Sequence, residues 1–368
     1  MSASGPLVVL CVNSGSSSLK TALFEVDDAT QRPLARATHP VESGDYTAAL
    51  EAALAAFDEQ GRPPPGAAGH RVVHGGPFHD EPALVDDDLL ADLRELVPFA
   101  PLHMPAALAG MEAIRARWDI PQVACFDTAF HHHMPELAQR LPLPDVLWDA
   151  GVRRYGFHGL SYEYVVGAIG AAELGRAVIA HLGNGASMVA VHHGQSVDTT
   201  MGFTPAGGLI MSTRSGDLDP GVPVYLLREQ GYDADRLEEL VDHDAGLVAL
   251  SGGTSDMQAL LERREQDQRA ALAVDAFCYQ ARKHVGALAA VLGDLDTLVF
   301  TGGIGEKAAA IRGGICDGLE HLGVVLDDAA NAEHAPVISA PGAACAVRIE
   351  PTDEDLVIAR HTGALVAS

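Results

Sequence analysis

The sequence predicts an α/β protein built from two domains with a duplicated core. The chain has 368 residues, which is long for a single hydrophobic core. Predicted strands and helices alternate along it, which is typical of layered α/β folds. One strand–turn–strand pattern opens the chain, and the same pattern returns in its middle. Two such units far apart in one chain indicate a duplicated domain.

The two strand–turn–strand units have the same order of residue types. In the first, Leu7–Val12 is a continuous apolar run, the small polar residues Asn13–Ser18 interrupt it, and Leu19–Val26 resumes an extended pattern. The second passes from a strand at Ala177–Ala180 through a glycine-rich turn to a strand at Ser187–His192. We therefore expect one hairpin of this kind in each domain.

Helices are indicated where apolar residues recur at helical spacing. Ala106–Trp118 and the long, alanine-rich Ala270–Leu292 fit this pattern best. A glycine-rich turn precedes a third predicted helix at Glu306–Arg312. A final helix is expected over about 354–364, with Thr352 as its N-cap in a variant of the capping box.

The composition argues against several classes of function. The chain carries 24 basic and 50 acidic residues, a net charge of −26, and has no basic run, so neither nucleic acid nor an anionic membrane is expected as a partner. No apolar stretch approaches the roughly 18–20 residues that span a bilayer, and Met1–Pro6 lacks the basic region of a signal peptide. The five cysteines include no C-x-x-C pair, which favours a reducing, cytoplasmic setting over disulfides or structural zinc.

Three glycine-rich turns could cradle phosphate groups. Asn13–Lys20 offers backbone N–H groups, hydroxyls and one lysine, although it is no Walker A loop. His181–Ser187 has the same character, and Thr301–Lys307 leads a strand into a helix N-terminus. Each segment alone is also compatible with an ordinary tight turn. Their number makes phosphate binding the better hypothesis.

The cations and carboxylates beside small residues are the other candidates. Arg71 and Arg214 could each hold carboxylate or phosphate oxygens two at a time, or could form structural ion pairs, with Asp217 as the obvious partner of Arg214. Asp127 follows an apolar run at a strand end, where α/β sites gather, or is a turn residue. Glu354 could serve a site or compensate a helix dipole.

The histidines divide into two groups. His158 lies between a phenylalanine and a glycine in a short turn, where it could meet a ligand or make a structural hydrogen bond. His131, His132 and His133 are consecutive, so they cannot all face one metal ion on a helix or strand. We expect these three to be mostly exposed.

Taken together, the motifs resemble the acetate kinase family of short-chain carboxylate kinases. The resembling blocks follow one another in family order and cover nearly the whole chain: Val12–Lys20, Gly69–Gly76, Pro101–Pro105, Phe126–Phe130, Arg153–Gly159, His181–Ser187, Met201–Gly221, Thr301–Glu306 and Pro351–Arg360.

The resemblance implies a fold and a reaction. The fold would be the duplicated ribonuclease H-like α/β core of actin-like ATPases, two domains with mixed sheets flanked by helices and an active-site cleft between them. Residues 1–128 and 355–368 would form the first domain and residues 129–354 the second. The reaction would be reversible transfer of a phosphoryl group from ATP to acetate, giving ADP and acetyl phosphate, with Mg²⁺ (or Mn²⁺) as cofactor and a homodimer as the assembly.

The resemblance also implies roles for individual residues. Asn13 and Glu354 would place the metal ion, and Arg71, Asp127, His158 and Arg214 would be the catalytic residues. Ser16, Ser18 and Lys20 would line the phosphate path. Arg71 would also bind the acid, together with a pocket for its methyl group formed by Val73, Leu102, Phe157 and Pro205. The nucleotide side would comprise His181, Leu182, Gly183, Asn184, Gly185, Asp256, Met257, Gln258, Gly303, Ile304, Gly305, Glu306 and Lys307.

Some alternatives stay open at this point. Gln258 and Lys307 depart from the family's usual residues, so a donor other than ATP, such as pyrophosphate, is one alternative. A preference for propionate is another, because one methylene is worth only about 1–3 kcal/mol of discrimination. A non-catalytic nucleotide-binding module of the actin-like type is a third, although such a module has no need of Arg71 and Arg214.

Overall fold

The computed structural model describes residues 6–14, 18–27, 30–41, 45–101 and 103–367. It divides into two compact units. Unit 1 contains Met1–His132, Phe157–Tyr164 and Asp353–Ser368, and unit 2 contains His133–Gly156 and Val165–Thr352. The domain boundaries expected after residues 128 and 354 stay a prediction.

Strands and helices alternate along the described chain. The strands are β1 Leu7–Ser14, β2 Ser18–Val26, β3 Gln31–Pro40, β4 Ala67–Val72, β5 Ala83–Leu84, β6 Gln122–Phe126, β7 Arg176–Leu182, β8 Ala186–His192, β9 Gln195–Thr199, β10 Thr297–Thr301 and β11 Ala346–Ile349. The helices are α1 Tyr46–Glu59, α2 Asp87–Glu95, α3 Met104–Arg117, α4 Glu136–Gln139, α5 Asp145–Asp149, α6 Gly159–Ile169, α7 Ala171–Leu174, α8 Gly221–Glu229, α9 Ala234–Asp242, α10 Gly246–Ser251, α11 Met257–Arg263, α12 Gln268–Leu292, α13 Gly302–Lys307, α14 Ala309–Cys316, α15 Asp328–Ala332 and α16 Glu354–Ala367. Within the ranges given above, none of these helices has the length and apolar character needed to cross a membrane.

The two units have sheets of the same topology. In unit 1 the order is β3-β2-β1-β4-β6-β5, with β1 antiparallel to β2 and parallel to β4. In unit 2 the order is β9-β8-β7-β10-β11, with β7 antiparallel to β8 and parallel to β10. The central pair β1–β2 therefore corresponds to β7–β8, and β5 is an addition at the edge of unit 1. Both predicted hairpins and the duplicated core are confirmed.

The central strands of the unit 1 sheet are buried on both faces, as their apolar sequences require. Val9 and Cys11 of β1 pack in one cluster with side chains of α16. Leu10 and Val12 point the other way and pack in a second cluster with side chains of α1 and α3. This alternation has the period of two residues that a strand imposes.

Two predicted helix starts differ from the structure. The helix after β10 begins at Gly302 rather than Glu306, and Ala308 separates α13 from α14. Gly302, where the chain turns from β10 into α13, has a φ of +75°, which only glycine adopts readily. At α16, the Asp353 carboxylate accepts a hydrogen bond from the Leu356 amide at 3.1 Å, so Asp353 rather than Thr352 caps the helix.

Candidate functional site

Three adjacent parallel strands of unit 1 each carry one predicted site residue at the carboxyl end. Asn13 is near the end of β1, Arg71 is near the end of β4, and Asp127 directly follows β6. The Asp127 amide donates to the Val72 carbonyl at 2.9 Å, which continues the β4–β6 ladder to this edge. Parallel strands bring their carboxyl ends together, so the fold itself assembles these side chains.

Arg71 is the centre of this group. Its Nε and Nη2 donate to Asp127 Oδ2 at 3.0 and 2.6 Å, and its Nη1 donates to Asn13 Oδ1 at 3.2 Å. Asn13 Nδ2 in turn donates to Glu354 Oε2 at 3.3 Å, and that oxygen lies 3.7 Å from Arg71 Nε. The four side chains, called here the Arg71 cluster, form one connected network.

The electrostatics of the cluster keep Arg71 charged. Burial acts to lower the pKa of Arg71, but Asp127 and Glu354 together raise that pKa well above its ordinary value. Burial raises the pKa of Asp127 to about 6, against the lowering effect of Arg71. The Asp127 side chain is 1% exposed and that of Arg71 is 20% exposed, so the guanidinium retains access to solvent while its anchor does not.

Glu354 enters the cluster as the first residue of α16. It is flanked by two further carboxylates, and burial raises the pKa of one of them, Asp355, to about 6. Lys20, exposed on β2, acts to lower the pKa of Asp355 and so lies within electrostatic reach of this turn. Lys20 pairs with Asn13 across β1 and β2.

The backbone next to His158 is hydrogen-bonded to a residue of the Arg71 cluster. It has a φ of +59°, an uncommon conformation for a residue with a side chain. The next amide, that of Gly159, donates to the Asp127 carbonyl at 2.9 Å. A methyl group on Gly159 would lie 2.2 Å from that carbonyl oxygen, so this close approach requires glycine. The turn that carries His158 is thus fixed against the residue that anchors Arg71.

The exposure of the three consecutive histidines near this turn differs in part from the prediction. His131 is fully buried, and its Nε2 lies 3.0 Å from the Phe157 carbonyl, to which it donates. Burial lowers the pKa of His131 to about 4, so it is neutral at pH 7. The expectation that all three consecutive histidines are mostly exposed was wrong for His131, which is buried and hydrogen-bonded to the Phe157 carbonyl. His132 is partly exposed and His133 is exposed.

The predicted acid pocket can be followed in part. Val73 and Phe157 are buried in unit 1, and Pro205 lies in unit 2. Leu102 and Ser16 lie outside the described residues, and of Ser18 the structure describes the backbone only. Sequence reasoning missed Thr128, whose Oγ1 accepts a hydrogen bond from the Gly75 amide at 2.9 Å and holds the loop after Val73. Its place beside Asp127 in an apolar-to-polar transition was the available signal.

In unit 2, the glycine-rich hairpin turn is joined to the loop that carries Arg214. The Asn184 carbonyl accepts from the Ser212 amide at 3.1 Å, and Ser212 Oγ lies 3.3 Å from Asn184 Oδ1. Arg214 Nη1 donates to the Pro205 carbonyl at 3.2 Å. Asp217, the ion-pair partner considered for Arg214, accepts a hydrogen bond from the Gly208 amide at 2.8 Å. Two predicted site residues, Arg214 and Pro205, are therefore in direct contact.

The second glycine-rich turn of unit 2 is adjacent to the first. Thr301 of β10 pairs with His181 of β7, so the two strands end side by side. A methyl group on Gly302 would lie 2.8 Å from the Leu182 carbonyl oxygen, which shows how closely the β10–α13 turn approaches the end of β7. The predicted segments His181–Gly185 and Gly303–Lys307 are thus brought together at one edge of the sheet.

Asp256, Met257 and Gln258 have a different setting. Asp256 is the N-cap of α11, and its carboxylate accepts from the Gln258 amide at 2.9 Å. Gln258 Nε2 donates to Glu262 one turn further along the helix. Met257 is buried. The hydrogen bonds of Asp256 and Gln258 are thus all local, which is the capping role that an aspartate at this position usually has.

The unit 1 cluster also contains the donors considered for a metal ion. Among the residues that the structure describes, no three His, Cys, Asp or Glu side chains are arranged to hold a metal ion by themselves. Asn13 Oδ1 and the Glu354 carboxylate are hard oxygen donors, and the Glu354 side chain is 15% exposed. Mg²⁺ is typically bound by one or two such groups together with substrate phosphates and water. The residues present fit an ion that arrives with a phosphate ligand.

The fold and the site define the class of protein to which the chain belongs. The shared topology of the two sheets is that of the duplicated, ribonuclease H-like fold of actin-like ATPases, as expected from the sequence. The chain belongs to the acetokinase family, whose model matches residues 34–360. It is 43% identical to the acetate kinase of Nitrobacter hamburgensis, over 97% of this chain and 96% of that protein.

Solved structures agree with this assignment. The crystal structure of Porphyromonas gingivalis acetate kinase superposes with a TM-score of 0.86 at 35% identity, covering 98% of this chain and all of that one. A propionate kinase from Francisella tularensis superposes with a TM-score of 0.88 at 32% identity, covering 97% of this chain and 99% of that one.

Proposed function

We propose that the chain is an acetate kinase, which transfers the γ-phosphoryl group of ATP to acetate and runs reversibly. The observation that carries this proposal is that Arg71 is charged, fixed in orientation and partly exposed. Its charge is secured by Asp127 and Glu354, its fork is held in one orientation by three partners, and part of it stays open to solvent. A fixed guanidinium of this kind suits a carboxylate or a transferring phosphoryl group.

For this reaction the protein must chiefly align the two substrates and supply positive charge. Acetate is already ionised at pH 7, so its oxygen can attack the γ-phosphorus without a general base. A bond forms between a carboxylate oxygen of acetate and the γ-phosphorus. The bond between that phosphorus and the β–γ bridging oxygen breaks, and ADP leaves with the electron pair of the broken bond. Catalysis then depends on alignment and on neutralising the phosphoryl oxygens.

The residue roles follow from this scheme. Arg71 would hold the carboxylate, with Val73 and Phe157 beside its methyl group, and Asp127 would keep Arg71 oriented. His158 and Arg214 would donate to the oxygens of the transferring group. The two glycine-rich turns of unit 2 would bind the nucleotide, with Lys20, Ser16 and Ser18 along the phosphate path. These assignments rest on the chemistry of each group and on the resemblance to acetate kinases.

Asn13 and Glu354 are the residues that would hold Mg²⁺, or Mn²⁺ in its place. The bound ion would supply positive charge to the phosphate oxygens of the nucleotide. Asn13 is already held by Arg71 and in turn donates to Glu354, so the two donors are positioned before any ligand arrives.

The test is formation of an acyl phosphate. The protein is incubated with Mg²⁺, ATP and acetate, and the product is trapped with hydroxylamine as a hydroxamate. We expect a hydroxamate with acetate and ATP. Parallel reactions replace acetate by propionate or butyrate, and ATP by pyrophosphate. Absence of hydroxamate with every acid and donor would refute the kinase proposal and leave a non-catalytic nucleotide-binding protein.

Propionate kinase is the second candidate, because one of the similar solved structures is a propionate kinase. The two activities differ by one methylene in the acid. The ratio of kcat/KM for acetate and propionate decides between them, and a ratio above one supports the first proposal. Discrimination between the acids is expected to stay within about 200-fold.

Arg214 provides a test inside the site. Arg214→Ala should reduce kcat by at least 100-fold, since loss of one electrostatic contact to the transition state typically has an effect of about that size. The control is Arg264→Ala, which removes an exposed arginine of the same unit that pairs with Asp275 and should leave turnover unchanged. Near-normal turnover of a folded Arg214→Ala protein would remove Arg214 from the proposed site.

We also propose a homodimer as the assembly and the cytoplasm as the location. Exposed apolar side chains on α8, among them Val224 and Tyr225, form a surface that a second copy would cover. Light scattering on the purified protein should give twice the chain mass of 38.5 kDa. Cell fractionation should recover the activity in the cytoplasmic fraction.

A further inference from the structure

One guanidinium bridges the two acidic residues on either side of Glu354. Arg36 Nη2 donates to Asp353 Oδ2 at 2.5 Å, and Arg36 Nη1 donates to Asp355 Oδ2 at 3.4 Å. Arg36 belongs to β3, more than 300 residues earlier in the sequence. The contact therefore ties the edge strand of unit 1 to the first turn of α16.

The first turn of α16 is fixed by contacts from both flanking acids. The second carboxylate oxygen of Asp353 caps the helix by accepting from the Leu356 amide at 3.1 Å. The Asp355 carbonyl accepts from Cys11 Sγ at 3.3 Å, which ties it to β1. Glu354 lies between these two anchored residues, so its position depends on the turn as a whole.

Arg36 also limits the negative charge of this turn. Three consecutive carboxylates occupy it, and a helix N-terminus compensates only part of such charge. Without Arg36, Asp353 and Asp355 would add negative charge next to Glu354, with Lys20 offsetting part of that of Asp355, and would repel an approaching polyphosphate. The guanidinium of Arg36 also lies over the Phe24 ring, with its central carbon 5.6 Å from the ring centre.

We propose that Arg36 is a positioning residue for Glu354: it compensates Asp353 and Asp355, so that Glu354 alone is presented to the metal-bound nucleotide. The proposal rests on the proposed function, because it takes Glu354 as a ligand of that metal. Arg36 touches neither substrate nor metal in this scheme and acts through the two acids.

An ordinary surface ion pair is the competing explanation, since such pairs contribute little to stability or function. Two features distinguish Arg36 from that case. It engages two carboxylates at once, and the Asp355 side chain is only 16% exposed. Arg32 on the same strand supplies the comparison, because it forms a single ion pair with Glu25.

The experiment compares Arg36→Ala, Arg36→Lys and the matched control Arg32→Ala. We expect Arg36→Ala to raise KM for the Mg–nucleotide about tenfold and KM for acetate less than threefold, because the polyphosphate carries more charge. Arg36→Lys should recover most of this loss, and Arg32→Ala should behave as wild type. Added KCl should narrow the difference between Arg36→Ala and wild type, because salt screens the field.

A second background tests whether Arg36 acts through the acids. In a protein that already carries Asp353→Asn and Asp355→Asn, adding Arg36→Ala should change KM for the Mg–nucleotide less than twofold. Binding of Mg–ADP, measured by calorimetry without turnover, should follow the same pattern as KM. The proposal is overturned if Arg36→Ala and Arg32→Ala have the same KM for the Mg–nucleotide. It is also overturned if Arg36→Ala still raises this KM about tenfold in the protein that carries Asp353→Asn and Asp355→Asn.

These outcomes separate the two proposals. If the wild-type protein forms no hydroxamate but binds Mg–ADP, the kinase proposal fails and calorimetry still decides the role of Arg36. If the wild-type protein is active and Arg36→Ala is indistinguishable from Arg32→Ala, the inference on Arg36 fails alone. If the wild-type protein does not bind Mg–ADP, the inference fails with the site.

Discussion

Asp127→Asn removes the charge that orients Arg71 while keeping the shape of the side chain. Two N–H groups of Arg71 donate to one oxygen of Asp127, at 3.0 and 2.6 Å. A hydrogen bond to a charged group contributes about 1.5–3 kcal/mol, and the asparagine oxygen can still accept weakly. A loss of about 2–3 kcal/mol in transition-state stabilisation corresponds to a 30- to 150-fold fall in kcat/KM at pH 7.5.

The effect should depend on pH in one direction. Burial raises the pKa of Asp127 to about 6, so protonation below that pH produces the same neutral side chain as the substitution. The profile of kcat/KM reports groups of the free enzyme. The ratio of wild type to Asp127→Asn should therefore fall about tenfold between pH 7.5 and pH 5, since about a tenth of Asp127 stays ionised at pH 5.

The assay is hydroxamate formation over pH 5–8 with both proteins. The nucleotide phosphate also titrates near pH 6, but it does so equally for both proteins, and the ratio cancels its contribution. Urea unfolding at each pH checks that both proteins are folded. A ratio that stays constant with pH, or a variant within threefold of wild type at pH 7.5, would refute the assigned role of Asp127.

Two further predictions concern stability and backbone fit. Burial lowers the pKa of His70 to about 4 in the folded protein, against 6.5 as its ordinary value, so its contribution to stability is present above pH 6.5 and is lost as the pH falls towards 4. His70→Gln should therefore reduce the fall in the free energy of unfolding between pH 7 and pH 4.5 by roughly 2 kcal/mol in urea titrations, and an unchanged fall would contradict this. Gly159→Ala places a methyl group 2.2 Å from the Asp127 carbonyl oxygen and should reduce kcat at least tenfold in the hydroxamate assay. Gly286→Ala, with nothing within 4 Å of the new methyl group, is the control, and equal activity of the two variants would show that the close approach does not matter.

The sequence predicted the core of the fold because that core is encoded locally. The apolar run at Leu7–Val12 and its counterpart near Ala177 are each bounded by a polar turn, and this pattern alone specifies a buried strand and its hairpin partner. Asp127 could be singled out for a related reason, since strand ends are where α/β sites gather. The structure adds that Arg71 lies between Asn13 and Asp127, which follows from the parallel order of β1, β4 and β6.

Other features depend on residues that are distant in sequence and could not be read from a local pattern. The pairing of Arg36 with the first turn of α16 requires the hydrogen-bonded register of β3 and the docking of α16 on the same sheet. The buried His131 has its hydrogen-bond partner, the Phe157 carbonyl, 26 residues further along the chain. The turn at Gly302, the first residue of α13, approaches the Leu182 carbonyl at the end of β7, more than 100 residues earlier in the sequence.

The net charge of −26 raises a problem that the described contacts answer locally. The whole-protein field repels an anionic acid and an anionic nucleotide, and the screening length of about 8 Å at physiological ionic strength means that only nearby charges decide the local balance. In unit 1 every carboxylate of the Arg71 cluster has a cationic or amide partner: Asp127 with Arg71, and Glu354 with Asn13 and Arg71. Arg36 forms ion pairs with the next two carboxylates, Asp353 and Asp355, and Lys20 adds a smaller effect on Asp355. A chain this acidic can bind anions if each acidic residue of its site is compensated by a nearby cation or amide. The Arg36 substitution therefore tests the site more stringently than Arg214→Ala, because it changes the local field without removing any residue assigned to contact a substrate.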